Sequence, residues 1–99
     1  GDGKGGRCQE FALSFALDVS GMENIKLLAA GTDGTDGPTD AAGAFADGTT
    51  LAKGNDLDFN PELILSQNNS YPFFEKINDL FITGPTGTNV MDIYILLVS

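Results

Sequence analysis

Histidine is absent from this sequence, and cysteine occurs once, at Cys8. Without imidazole there is no His-based triad, no imidazole metal site and no HExxH helix. A single thiol excludes an intrachain disulfide and a multi-cysteine zinc site. It makes a reducing, intracellular setting the expectation: cytoplasmic, or mitochondrial in a eukaryote. Positive charge is also scarce. Five Lys and Arg stand against fourteen Asp and Glu, for a net charge of −9. Binding a phosphate backbone takes cations that this chain lacks, so nucleic acid is not an expected partner, nor is an anionic membrane surface. The acidic excess reads first as solubility, and anionic ligands remain open only where Lys4, Arg7 or backbone N–H groups act locally. No apolar run approaches the roughly 18 residues of a membrane span. No secretory pattern is read in the stretch either, so Asn68-Asn69-Ser70, formally a glycosylation acceptor, carries no weight.

Ninety-nine residues make at most one domain, burying roughly 60–65% of the unfolded chain's surface. The 41% hydrophobic content and a mean hydropathy near zero fit an ordinary globular core. Gly1 to Arg7 reads as the end of a loop entering a helix. The expectation is therefore a fragment of a larger protein, with earlier strands lying outside it.

What is abundant is glycine alternating with aspartate and threonine. An apolar run, Ile25 to Ala30, reads as a strand covered on both faces. It opens into Gly31-Thr32-Asp33-Gly34-Thr35-Asp36-Gly37-Pro38-Thr39-Asp40. Such a loop exposes backbone N–H groups and turns readily through positive φ. At the carboxyl end of a buried strand, it is where α/β proteins build binding sites. The stretches 1–10 and 83–89 read as built to meet it.

Around this loop the periodicities alternate. Phe11, Ala12, Phe15, Ala16 and Val19 recur at helical spacing, predicting a helix from Arg7 to about Val19 stopped by Gly21. Residues 40–46 lean towards strand. Thr49 or Thr50 caps a short helix to about Lys53, and Asn60-Pro61 starts another to about Gln67. Ser70 caps a third, which holds Tyr71, Phe73, Phe74 and Ile77 as core. Leu80 to Thr83 reads as a buried strand and Asp92 to Val98 as a strongly apolar final strand. The predicted class is α/β, a layered mixed sheet with flanking helices.

Three constellations carry possible chemistry. Asp33, Asp36 and Asp40, with the intervening threonines, offer oxygen ligands to Mg²⁺ or Ca²⁺, although Thr35 and Gly37 break an EF-hand pattern. The same residues equally suit turns in which the carboxylates cap local N–H groups. Gly1, Gly3 and Gly6 match G-x-G-x-x-G at a helix start, where Lys4 and Arg7 add charge for an anion, or where the loop is only a flexible entry. No G-x-x-x-x-G-K-[ST] is present, which excludes a P-loop. Cys8 sits at a helix start that would favour a thiolate, but it has no partner base and reads as packing.

Four blocks carry a resemblance. They are Gly3-Lys4-Gly5-Gly6-Arg7-x-Gln9-Glu10, Ala30 through Gly43, Asn68-Asn69-Ser70-Tyr71-x-Phe73-Phe74, and Thr83-Gly84-x-Thr86-Gly87-Thr88-Asn89-Val90-x-Asp92. In this order they resemble the MOFRL domain, the carboxyl-terminal part of the glycerate 2-kinase family, also labelled hydroxypyruvate reductase or TtuD-like. The resemblance implies that residues 1–99 are the carboxyl-terminal domain of a two-domain enzyme whose Rossmann-like amino-terminal domain lies outside this stretch. It implies ATP-dependent phosphorylation of glycerate to 2-phosphoglycerate with Mg²⁺, in the cleft between the two domains. The fragment alone would then be inactive, and a homodimer stays open. The catalytic residues it implies are Arg7, Asp33 and Asp36, with Asp33 and Asp36 also as metal ligands. For substrate and phosphate it implies Lys4, Gly5, Gly6, Gln9, Glu10, Gly31, Thr32 and Gly34, then Gly84, Thr86, Gly87, Thr88 and Asn89. At Cys8 the family usually carries Asn, so an amide hydrogen-bonder beside Arg7 is missing. Competing expectations are a metal-binding module, a purely structural domain, and a reductase, which would need nicotinamide binding.

Overall fold

A computed structural model describes residues 5–37, 39–55, 60–67, 69–84, 86 and 91–98. Helix α1, Arg7–Val19, stands where the apolar spacing predicts it. Cys8, Ala12, Leu13, Ala16 and Val19 are buried and recur every three or four residues, which puts them on one face. Gly21, at φ 85°, ends the helix. Strand β1, Ile25–Gly31, follows. The ambiguous stretch after the central loop becomes β2, Gly43–Asp47.

Three short helices come next: α2, Thr50–Asn55; α3, Pro61–Ser66; and α4, Ser70–Lys76. The starts of α2 and α3 follow local side-chain chemistry, whereas Ser70, read as the cap of α4, is instead its first helical residue. The Asn60 side chain accepts the Leu63 N–H of α3 at 3.3 Å. Before α2, Asp47 accepts the Thr49 N–H at 2.8 Å, while Thr50 Oγ1 accepts the Asp47 N–H at 2.9 Å. Two strands close the described chain, β3, Leu80–Phe81, and β4, Asp92–Val98.

The sheet runs β3-β2-β1-β4, and each of its described pairings is antiparallel. Helix α1 lies across β1 and β2. Leu27 and Ala29 of β1 and Ala44 and Ala46 of β2 meet Cys8, Ala12, Leu13 and Ala16 there. Alanines on the strands let the helix backbone approach closely. Phe73 and Phe74 of α4, fully buried and edge-to-face with centroids 5.3 Å apart, fill the flank of this layer. The expected layered α/β class with flanking helices is what the chain adopts.

The opposite sheet face differs from the expectation for two strands. The run Ile25 to Ala30 reads as covered on both faces, yet on the side of Leu28 the described residues leave an open hollow, edged by Thr83 and Thr86. That side continues through Phe45, Phe81, Ile93, Ile95 and Leu97, and is apolar although open. Ile93 and Ile95 line a hollow of about 270 Å³ together with Leu28, Ala30 and Phe81. The second correction concerns Leu80 to Thr83. Only Leu80–Phe81 pairs, as a half-buried edge strand, and Ile82 is exposed. Apolar content marks these segments as sheet, but whether a face is covered depends on residues elsewhere.

Gly43 shows how tightly β1 and β2 are paired. A Cβ there would press on the Ala29 carbonyl and reach 2.7 Å from Ala30 Cα. Gly43→Ala should therefore destabilise the protein by about 1–3 kcal/mol, the range for overpacking. Urea denaturation checks this, and an unchanged midpoint would mean that the strands relax freely.

Candidate functional site

Three loops converge beyond the carboxyl end of β1. The Thr86 N–H donates to Asp33 O at 3.1 Å, its hydroxyl donates to Thr32 O at 2.5 Å, and the Thr32 N–H donates to Met91 O at 2.7 Å. These bonds tie the third glycine-rich stretch to the central loop. On the other side the central loop meets the entry to α1 backbone against backbone. Gly37, at φ 63°, leaves so little space that a Cβ would sit 2.7 Å from Gly5 O and 2.9 Å from Gly6 Cα. A Cβ on Gly6 would collide with Asp36. Glycine is required at both positions by this close approach.

Asp36 is the centre of that contact. Its carboxylate, 4% exposed, accepts the N–H of Cys8 at 2.9 Å and that of Gln9 at 2.7 Å. These are orphan donors of the first turn of α1, so a residue 28 positions away caps the helix and places a negative charge at its positive end. Of the two readings open in the sequence, ligand binding or a local cap, neither describes this contact: the cap is long-range, and only the fold brings it about.

Arg7 and Asp33 face a common hollow of about 320 Å³, lined also by Thr35, Asp36, Gly37 and Asp92. The Arg7 side chain is largely exposed, and its Nη2 lies 2.8 Å from Asp92 Oδ2 at the start of β4. Asp33 is half-buried. Its two oxygens accept the Thr35 N–H at 3.2 Å and the Thr35 hydroxyl at 3.1 Å, which orients the carboxylate beside the hollow. Three carboxylates against one guanidinium leave the hollow acidic.

The remaining site expectations separate clearly. Gly5, Gly6, Gly31, Thr32, Gly34, Gly84 and Thr86 belong to the converging loops. Gln9 and Glu10 turn into the protein instead. Gln9 is fully buried and its Nε2 donates to Thr39 Oγ1 at 3.0 Å. Glu10 Oε2 accepts the Ser70 N–H at 3.1 Å, at the start of α4. Lys4, Gly87, Thr88 and Asn89 lie outside the described residues. Asp40 accepts the Tyr71 hydroxyl at 2.7 Å and so supports α4. Among the described residues no three acidic or cysteine side chains group to hold a metal ion. Two residues named in the sequence only as parts of larger blocks take roles that the blocks did not assign. Asp92, at the first position of an apolar strand, pairs with Arg7, and Thr39, one threonine of several in its loop, holds Gln9.

The model of the MOFRL family matches residues 1–92. This chain belongs to the MOFRL family. It is 51% identical to the D-glycerate 2-kinase of Thermotoga maritima over 98 residues, covering 99% of this chain and 24% of that relative. With the glycerate 2-kinase of Pyrococcus horikoshii it shares 48% over 98% of this chain and 22% of the relative. A crystal structure of glycerate kinase from Thermotoga maritima superimposes with a TM-score of 0.96 at 50% identity, covering this whole chain and 24% of that one. Two relatives from Agrobacterium vitis named putative hydroxypyruvate reductase share 44% and 46%. The MOFRL chain thus spans about a quarter of the length of the curated relatives it matches. No helix among the described residues is long and apolar enough to cross a membrane.

Two expected outcomes follow from burial in this MOFRL chain. Burial, followed by the nearby Asp36 and Asp92 carboxylates, pushes the Cys8 thiol up to about 12. Cys8 should resist a thiol reagent at pH 8 until denaturant is added, and rapid labelling of the native protein would contradict its burial. Burial is also the largest influence on Glu10, and it raises the carboxyl above its ordinary 4.5 even though the Ser70 N–H opposes it. The protonated folded form is then favoured. That contribution is full below 4.5 and is lost as pH rises through the folded value. Glu10→Gln should therefore stabilise the protein more at pH 7 than at pH 4, compared with wild type in urea titrations. An equal effect at both values would remove Glu10 as the titrating group.

Proposed function

We propose that this chain is the carboxyl-terminal domain of a glycerate 2-kinase, and that an amino-terminal, Rossmann-like domain completes its site. The observation that carries the reading is Arg7 and Asp33 across one hollow, in a chain about half identical to relatives named glycerate 2-kinase. The open apolar sheet face also supports a larger protein, since contiguous exposed apolar surface of this kind normally meets another element.

The reaction transfers the γ-phosphoryl of ATP to the C2 hydroxyl of glycerate, giving 2-phosphoglycerate and ADP. It needs positioning and charge neutralisation more than covalent help. Arg7 grips the glycerate carboxylate or a transferring phosphoryl oxygen with its planar fork of donors. Asp33, oriented by Thr35, aligns the attacking hydroxyl and receives its proton. Asp36 is reassigned, because its carboxylate is buried, 4% exposed, with its oxygens on α1: it positions rather than reacts.

Mg²⁺ typically binds through one or two carboxylates plus substrate phosphates. Asp33 fits that mode, and Mg²⁺ would neutralise charge on the phosphates. A hollow with three carboxylates receives a triphosphate only with such compensation or with cations from the other domain.

The reductase reading is weaker. A dinucleotide pyrophosphate docks on helix N-terminal N–H groups, and at α1 two of these are filled by Asp36. A module binding Ca²⁺ alone would need a richer set of acids than the described residues bring together.

In the full-length protein, Arg7→Ala and Asp33→Asn should each lower kcat for glycerate phosphorylation by about 10²-fold or more. Appearance of 2-phosphoglycerate by phosphorus NMR checks this. Wild-type kinetics in either variant would remove that residue from the mechanism.

A further inference from the structure

The groups assigned to chemistry are not held by their own burial. The Arg7 side chain is 77% exposed, and Asp33 touches its own loop. Their placement comes from the backbone, and the backbone at both points is fixed by the same buried cluster. Arg7 precedes Cys8, whose N–H is bound by Asp36, and Asp33 lies three residues before Asp36.

Thr39 closes the cluster. Its hydroxyl donates to Asp36 O at 2.8 Å and accepts the Gln9 Nε2–H at 3.0 Å and the Ala41 N–H at 3.3 Å. A hydroxyl has one hydrogen and two acceptor sites, so Thr39 is saturated, and its methyl is buried with it. Gln9 is 0% exposed, and among the described residues its Oε1 has no hydrogen-bond partner, so the bond to Thr39 is what orients its amide. The loop is thereby fastened to α1 twice, by the Asp36 carboxylate on the backbone and by Thr39 on the Gln9 side chain.

We infer that Gln9, Asp36 and Thr39 form a buried latch that positions Arg7 against Asp33, with Thr39 as its hub. Thr39 and Gln9 are positioning residues and touch no substrate. The kinetic part of the inference rests on the kinase reading, but the latch itself does not.

The test uses the full-length protein with Thr39→Val, which keeps shape and removes the hydroxyl, and Thr39→Ser, which restores it. Hydrogen–deuterium exchange should quicken at residues 7–12 and 31–37 in T39V and return towards wild type in T39S. The kcat for glycerate should fall about 10- to 100-fold in T39V with KM little changed, as for reacting groups displaced by ~1 Å. It should recover in T39S. Exchange in T39V matching wild type would overturn the latch. Quickened exchange with unchanged kcat would overturn its positioning role. A wild-type protein unable to phosphorylate glycerate would sink the kinase reading instead, and exchange would still decide the latch. If T39V fails to fold, Gln9→Met cuts the same bond from the α1 side and is read in the same way.

Discussion

The contact on which the rest of this structure depends is the Asp36 carboxylate seated on the N–H groups of Cys8 and Gln9. A charged acceptor on two orphan donors is among the stronger hydrogen-bonded arrangements available inside a protein. It demands a bare backbone on both sides, which Gly6 and Gly37 supply. It also fixes what the helix terminus does. A site that would otherwise attract phosphate already holds an internal anion, and the thiol beside it is kept neutral. On the proposed reading, anion recognition then falls to Arg7, one residue before the capped N–H groups.

That division has an electrostatic consequence. Asp33, Asp36 and Asp92 border the same hollow as Arg7, and Arg7 is itself paired with Asp92. The Arg7 side of this pair is largely exposed and the Asp92 side largely buried, so on the proposed reading an incoming carboxylate or phosphoryl oxygen competes with Asp92 for the guanidinium. The acid excess excludes a bare polyphosphate. On the proposed reading, compensation arrives with the nucleotide's metal ion or from the second domain, as the low count of basic residues in this chain suggests.

Much of this was legible in the sequence. Helix α1, the Asn60 cap, the phenylalanine core of α4 and the three converging loops follow from periodicity and turn chemistry, which act over a few residues. The sequence misled where the deciding neighbour lies far along the chain. Asp36 looked like Asp33, with the same flanking glycine and threonine, and only the fold turns one inward and leaves the other beside the hollow. The family resemblance of the block that ends with them puts Gln9 and Glu10 in a binding loop. A helix sends successive residues to different faces, however, and theirs meet Thr39 and Ser70. Coverage of β1 and β4 was unreadable for a similar reason, since an apolar strand carries no mark of which element shields it.

The open face and the acidic hollow point the same way. A strand that is apolar on alternate and intervening positions alike, as Ile93 to Val98 is, suits a sheet interior better than an edge. A hollow with one guanidinium and three carboxylates suits one half of a phosphoryl-transfer site better than a whole one. Both incompletenesses arise beside β4: its residues Ile93 and Ile95 border the apolar hollow, and Asp92 at its first position holds Arg7. Whatever packs on that strand can therefore act on Arg7 through Asp92. On the proposed two-domain reading, docking and site assembly are then one event rather than two, with the buried latch keeping the Arg7 backbone in register while its side chain changes partner.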